Sequence, residues 1–154
     1  MKKILIAAAV SVIASASPAF ANTANTTVYA QISAQCDITS PGTTLVALSG
    51  ATELGNIGII CNSAQGFTAT AQSLHAGKLV DETNHSGTAY DYVLNVDGVG
   101  DVALDGTYNQ VFGGNNGQFI NGITLGSRIN VTGATGPAYA GVYQDTISFS
   151  ITAN

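Results

Sequence analysis

The end of the chain carries the strongest structural signal in the sequence. Ile147, Phe149 and Ile151 alternate with Ser148 and Ser150. Because successive side chains of a β-strand point to opposite faces, this alternation predicts a strand with an apolar face towards a core and a hydroxyl face towards water. Such a strand must pair along at least one edge, and an edge without a partner is a template for another chain.

The first 21 residues have the three parts of a secretory signal peptide. Lys2 and Lys3 give a positive start, Ile4 begins a short apolar run, and Ala19 and Ala21 form a small-x-small cleavage site. The apolar run has about half of the ~20 residues that a transmembrane helix needs. We therefore expect export through a bacterial periplasm and no membrane insertion of the mature chain.

The charge of the chain limits its partners. The mature chain, from Asn22, keeps two basic residues, Lys78 and Arg128, against nine acidic ones, a net charge of −7. A chain this acidic has no basic surface for nucleic acid or anionic lipid, so we expect neither as a partner. Charged residues are few and Gly, Ser, Thr and Asn are abundant, which favours a β-rich exported protein with many turns.

The two cysteines, Cys36 and Cys61, predict a disulfide. An even number of cysteines in an exported protein is typical of disulfide pairing. Closing this loop of 26 residues would stabilise the chain by about 3–4 kcal/mol. A metal site is the alternative, but two cysteines with no nearby histidine make a poor ligand set. We expect no metal and no cofactor.

Short strands separated by turn residues are predicted along the rest of the chain. The candidates lie at 22–34, 43–48, 54–62, from 66 onward, 78–80, 88–96, 118–120 and 127–132, with one or two short pieces in the Gly-rich stretch 99–117. No helix longer than one turn is predicted. Strands at this spacing favour an all-β sandwich over a barrel. Tyr90 and Tyr92 are interpreted as sandwich residues rather than a sugar platform. Periodicity does not decide whether the strand at 22–34 pairs within its own sheet or is given to a neighbour.

Few residues suit catalysis. His75 and His85 are the only histidines, and no G-x-S-x-G element is present. A Ser–His–Asp triad needs no adjacency in sequence, so that alternative stays open. Asp91 and Asp145 are interpreted as carboxylates that solvate strand edges, not as a catalytic pair. We predict that the chain is not an enzyme.

Four segments carry a family resemblance. They are QISAQC at 31–36, IGIICN at 57–62, AYDYVL at 89–94 and AGVYQDTISFSI at 140–151, which includes a Gly-x-Tyr-x-Asp-Thr element. In these patches the chain resembles the spore coat protein U family, whose members include pilins of archaic chaperone–usher pili. The resemblance implies a signal peptide at 1–21, an N-terminal donor segment at 22–34 and one pilin-like domain at 35–154.

The resemblance also implies a fold and a set of site residues. Such pilins are immunoglobulin-like β-sandwiches that lack their last strand, and the donor strand of a neighbouring subunit completes them. The donor side chains would be Val28, Ala30 and Ile32. The groove, first covered by the chaperone, would be walled by the terminal strand through Ile147, Phe149 and Ile151.

The function implied by the resemblance is that of a structural fibre subunit. Its partners would be identical or related pilin subunits, a periplasmic chaperone and an outer-membrane usher, and the fibre would serve adhesion or biofilm formation at the cell surface. The alternative is a self-contained secreted surface or coat protein, or a carbohydrate-binding module.

Overall fold

In the computed structural model, residues 25–82, 87–114 and 117–154 are described. The predicted signal peptide and residues 22–24 lie outside them. The chain divides into one unit that ends at Gln31 and a second unit, Ile32–Asn154. The candidate strand at 22–34 has no regular secondary structure over its described residues, 25–34.

The described residues of the second unit form strands and one short helical turn. The elements are β1 Cys36–Thr39, β2 Gly50–Cys61, β3 Gly66–Ser73, β4 Lys78–Asp81, β5 Ala89–Val96, β6 Gly100–Val102, β7 Thr107–Gly113, a 3₁₀ turn at Gly117–Phe119, β8 Ile123–Ala134, β9 Tyr143–Gln144 and β10 Ile147–Ala153. Among the described residues, no helix is long and apolar enough to cross a membrane.

The strands form two antiparallel sheets. The larger sheet has the order β1-β2-β8-β5-β4-β9, with β6 also paired to β5, and the smaller has the order β10-β3-β7. Both sheets contribute to a single core, in which Ile59, Phe67 and Leu94 are buried. The prediction of an all-β sandwich is confirmed. Tyr90 and Tyr92 are buried in this core, as interpreted from the sequence.

The strand order is that of an immunoglobulin-like sandwich without its last strand. In constant-type domains, strands A, B, E and D form one sheet, and C, F and G form the other. Here β1-β2-β8-β5 takes the order A-B-E-D, and β3-β10 takes the order C-F. Strand G would lie along the outer edge of β10, and no strand in the described parts of the chain occupies that place.

Two of the strands predicted within the second unit are wrong. Residues 43–48 form no strand, because side-chain hydrogen bonds replace a backbone ladder: the Thr44 hydroxyl donates to the Leu54 carbonyl (3.2 Å) and the Ala47 N–H donates to Thr52 Oγ1 (3.2 Å). The segment 118–120 lies in and after the 3₁₀ turn, which places the ring of Phe119 in the core.

The strand β1 was not predicted, and the disulfide explains its place. Cys36 and Cys61 are directly opposite each other in the β1–β2 pair and are joined by a disulfide, as predicted. β1 has four residues and pairs with β2 along one edge. The disulfide therefore fixes one end of a short edge strand.

Candidate functional site

The terminal strand β10 is an edge strand. All seven of its residues pair with β3, from Ile147 opposite Ser73 to Ala153 opposite Phe67. Beyond it, the Asn154 N–H donates to the Gly66 carbonyl at 3.0 Å, so the same partner strand holds its far end. No strand among the described residues pairs with the other edge of β10. That edge presents a row of backbone groups to an added strand.

The apolar face of β10 is incompletely covered. Ile147, Phe149 and Ile151 pack against the core but are only half-buried, while the residues between them are exposed. By contrast, Leu94 on the central strand β5 is fully buried. The alternation thus has the predicted period, but the core covers only part of the inward face.

An apolar cavity between the two sheets borders this face of β10. β1 and β10 lie near each other, one at the edge of each sheet, but they do not pair. Ile38 on β1 is half-buried like the apolar residues of β10. A mostly apolar cavity of about 50 Å³ is lined by Ile38, Leu125 and Phe149 among other core residues. We call the apolar space that Ile38 and Phe149 line, beside the outer edge of β10, the terminal groove.

The Gly-x-Tyr-x-Asp-Thr element brings the chain to the terminal groove. Tyr143, in β9, lies opposite Asp81 of β4 in the larger sheet. Its ring packs edge-to-face on Tyr90 with 4.9 Å between centroids, and its hydroxyl donates to the Tyr139 carbonyl at 3.1 Å. Four residues later, Ile147 is already paired with β3 in the smaller sheet. The element therefore carries the chain from one sheet to the other.

Asp145 holds this crossing in place through four hydrogen bonds, and we call Asp145 together with its donors the anchor. The Asp145 side chain is 1% exposed. The hydroxyls of Ser73 and Tyr92 donate to Oδ2, the latter at 2.6 Å. The backbone N–H groups of His75 and Thr146 donate to Oδ1 at 3.0 and 2.7 Å. The interpretation of Asp145 as an edge-solvating carboxylate is wrong, because the crossing turns it away from solvent and towards four donors.

Asp145 contributes to the raised pKa of Tyr92, and its partner Ser73 also binds the β3–β4 turn. Burial, and then the hydrogen bond to the Asp145 carboxylate, raise the pKa of Tyr92 well above its ordinary value near 10. Ser73 Oγ accepts from the N–H groups of His75 and Gly77 at 3.1 and 2.8 Å. These bonds join the β3–β4 turn to the first residue of the crossing.

The same cluster contains a serine, a histidine and an aspartate, but it lacks the geometry of a catalytic triad. The Ser73 hydroxyl donates to Asp145, whereas a triad requires the serine to donate to the histidine. His75 Nδ1 lies 3.2 Å from Asp145 Oδ1, with no aligned hydrogen bond. These contacts suit a structural anchor.

The predicted donor side chains are exposed. Val28 and Ala30 lie in the unit that ends at Gln31, and Val28 is 91% exposed. Ile32 begins the second unit and is 88% exposed. Sequence reasoning missed Ile38, although its spacing of two residues from Cys36 places both on one strand face. It also missed Ser73 and Tyr92 as partners of Asp145, for which the sequence holds no signal.

Comparisons with known proteins give a structural neighbour but no family. No known family profile matches the sequence, and no curated protein matches it. The resemblance to the spore coat protein U family therefore has no support from a family match. The fold is similar to the crystal structure of the P pilus rod subunit PapA, with 18% identity and a TM-score of 0.40, covering 77% of this chain and 99% of that chain.

Proposed function

We propose that this chain is a structural subunit of an extracellular fibre, and that each subunit accepts the N-terminal strand of a neighbouring copy. The observation that carries the proposal is the unpaired outer edge of β10, at the place of strand G in an immunoglobulin-like sandwich. The apolar face of β10 is half-buried there, as expected for a site that one further strand would cover.

The N-terminal segment has the chemistry of the missing strand. Thr26 to Ser33 contains no charged side chain, and Val28, Ala30 and Ile32 alternate with polar residues. Added along β10, such a strand would pair through its backbone and place these three side chains in the terminal groove. Burying each of the two larger ones would contribute about 1–3 kcal/mol.

The geometry of such a contact would propagate. One subunit would contribute its N-terminal segment and the next its terminal groove, so the two surfaces differ and the contact does not close on itself. Repetition gives a filament of identical or related subunits. An exposed apolar groove on an unassembled subunit is a liability, which supports a periplasmic chaperone and an outer-membrane usher as partners. The fibre would lie at the cell surface and serve adhesion or biofilm formation.

The proposal includes no catalytic role. Ser73, His75 and Asp145 converge without the serine–histidine hydrogen bond that nucleophilic catalysis would use. The remaining alternative, a self-contained secreted coat protein or carbohydrate-binding module, needs a sandwich that is stable without an added strand. The stability of the chain with and without an added strand separates these functions.

The test compares two purified proteins by size exclusion and thermal melting. One is the mature chain from Asn22. The other lacks the N-terminal segment and carries residues 23–34 after a Gly-rich linker behind Asn154. We expect only the rearranged protein to be monomeric, with a melting temperature higher by roughly 20 °C, since several kcal/mol of burial are added to a small domain.

A matched control carries Val28→Asp and Ile32→Asp in the moved segment. We expect it to lose the gain in melting temperature, because charged side chains cannot be buried in an apolar groove. If the mature chain is an equally stable monomer, the sandwich is complete by itself. The fibre proposal then fails and a glycan screen becomes the next experiment.

A further inference from the structure

We propose that Asp145 is a positioning residue for strand capture: its carboxylate fixes the start of β10 so that the outer edge is ordered before a partner strand arrives. This inference rests on the proposed function and adds a residue that lies outside the terminal groove. Its contribution would be to the rate at which the groove takes up a strand.

Asp145 lies where it can determine the position of the first residues of β10. β9 belongs to the larger sheet, through Gln144 opposite Val80, and β10 belongs to the smaller sheet from Ile147 onward. Asp145 and Thr146 alone span the crossing. Displacement at these two residues would therefore move the first residues of β10 relative to β1.

The anchor draws on both sheets. Ser73 is the last residue of β3 in the smaller sheet and His75 lies in the turn after it, whereas Tyr92 belongs to β5 in the larger sheet. One buried carboxylate therefore connects the start of β10 to both sheets. The Leu74 N–H also donates to the Thr146 carbonyl at 2.9 Å, so a backbone hydrogen bond fixes the second residue of the crossing as well.

The four donors require a carboxylate. Ionised Asp accepts at both oxygens, whereas Asn presents an NH₂ group in place of one of them. The N–H groups of His75 and Thr146 can only donate, so in Asp145→Asn the NH₂ group would have to face the hydroxyls of Ser73 and Tyr92. Those hydroxyls would then lose their charged acceptor, and charge-assisted hydrogen bonds are about twice as strong as neutral ones.

The effect should fall on association more than on dissociation. Before capture, β10 is paired with β3 along one edge among the described residues, and the anchor adds to the order that this pairing gives its first residues. After capture, it would be paired on both edges and would depend less on the anchor. Ordering a binding site in advance removes a cost that binding would otherwise have to meet.

The experiment measures capture of a fluorescent, end-blocked synthetic peptide of residues 23–34 by freshly refolded mature chain, through fluorescence anisotropy. We expect Asp145→Asn to slow association by about tenfold, a change of about 1.4 kcal/mol in the barrier, while dissociation changes by no more than about twofold. Tyr92→Phe, which removes one donor, should slow association to a smaller extent. Tyr90→Phe is the matched control, because Tyr90 is buried on the same strand and makes no hydrogen bond to Asp145.

Hydrogen exchange on the same variants separates positioning from general stability. We expect the amides of β10 to exchange faster in Asp145→Asn, and those of the β2–β8 pair to stay as in the wild type. Uniformly faster exchange, or a change in dissociation in place of association, would make Asp145 a stabilising residue only and would overturn the inference. If the wild type captures no peptide, the proposed function itself fails; if wild type and variant capture it alike, only the inference fails.

Discussion

At the scale of single residues, the hydroxyl of Tyr92 links stability to pH. The folded chain holds the pKa of Tyr92 above its ordinary value, first by burial and then through Asp145. As pH rises through about 10, tyrosine in the unfolded chain loses its proton while Tyr92 in the folded chain keeps it. The unfolded state is then favoured, so stability is present below about pH 10 and declines above it.

We therefore expect the free energy of unfolding of the wild type to fall between about pH 9 and 11, as measured by urea denaturation. Tyr92→Phe should be less stable by about 1–2 kcal/mol at neutral pH, because Asp145 loses a donor, but its decline with pH should be shallower. Tyr90→Phe provides the control. Equal slopes for the wild type and Tyr92→Phe would show that Tyr92 does not cause the alkaline loss.

Phe149 is the residue through which the terminal groove can be tested directly. It lines the apolar cavity and is half-buried. We expect Phe149→Ala to lower the free energy of unfolding by about 2 kcal/mol, below the roughly 3–5 kcal/mol of a fully buried phenylalanine, and to weaken capture of the 23–34 peptide. Ser148→Ala, on the exposed face of the same strand, should change neither. Unchanged capture by Phe149→Ala would place the added strand elsewhere.

For single residues, the sequence predicted the features that follow from alternation within one strand. The alternation of Ile147, Phe149 and Ile151 identified the face of β10 that meets the core. The same pattern failed at Asp145, because period-2 reasoning applies within a strand and Asp145 lies at a crossing between sheets. Its partners Ser73 and Tyr92 are 72 and 53 positions away in the sequence. A local sequence pattern cannot predict contacts between residues so far apart.

At the scale of elements, β1 is a short edge strand of the larger sheet. It has four residues, it pairs with β2 along one edge, and it carries Ile38 to the terminal groove. The disulfide from Cys36 to Cys61 ties this strand to β2. A short edge strand of this kind would separate readily without the covalent link.

We expect the double variant Cys36→Ser, Cys61→Ser to lose about 3 kcal/mol of stability and to capture the 23–34 peptide more weakly. The loss of capture should exceed that of Ser148→Ala, and urea denaturation with the same anisotropy assay would measure both. The wild type denatured and refolded under reducing conditions should behave like the double variant. Full capture by the double variant would mean that β1 stays in place without the disulfide.

The elements that were predicted wrongly share a cause. The segments 43–48 and 118–120 contain alternating or apolar residues that favour strands, yet competing contacts decide their structure. In the first, Thr44 and Thr52 satisfy backbone groups with side chains. In the second, the aromatic packing of Phe119 on Phe67, with ring centroids 4.8 Å apart, takes precedence over strand propensity.

At the scale of the whole molecule, the all-β class followed from composition and turn spacing, but the strand order did not. The pairing of β2 with β8 and of β3 with β10 joins residues far apart in sequence. Only that order reveals that the outer edge of β10 stands where an immunoglobulin-like domain has its last strand. The terminal groove is thus a property of topology, while the side chains that line it were partly visible in the sequence.

The net charge of a chain that begins at Asn22, as the predicted cleavage implies, gives a prediction for assembly. Two subunits that each carry −7 repel each other, whereas residues 23–34 contain no charged side chain. Raising NaCl from about 0.01 to about 0.15 M shortens the Debye length from about 30 to about 8 Å and screens this repulsion. We expect polymerisation of the mature chain, followed by light scattering, to become several-fold faster, because subunits meet more often.

Capture of the end-blocked 23–34 peptide is the control for this effect, since an uncharged strand experiences no net repulsion from the subunit. We expect its association rate to stay nearly constant over the same range of salt. If both rates rise together, salt acts on apolar burial in the groove instead of on the repulsion between subunits. If polymerisation slows, salt weakens attractive charge contacts between subunits. The interface between subunits would then include the acidic surface as well as the terminal groove.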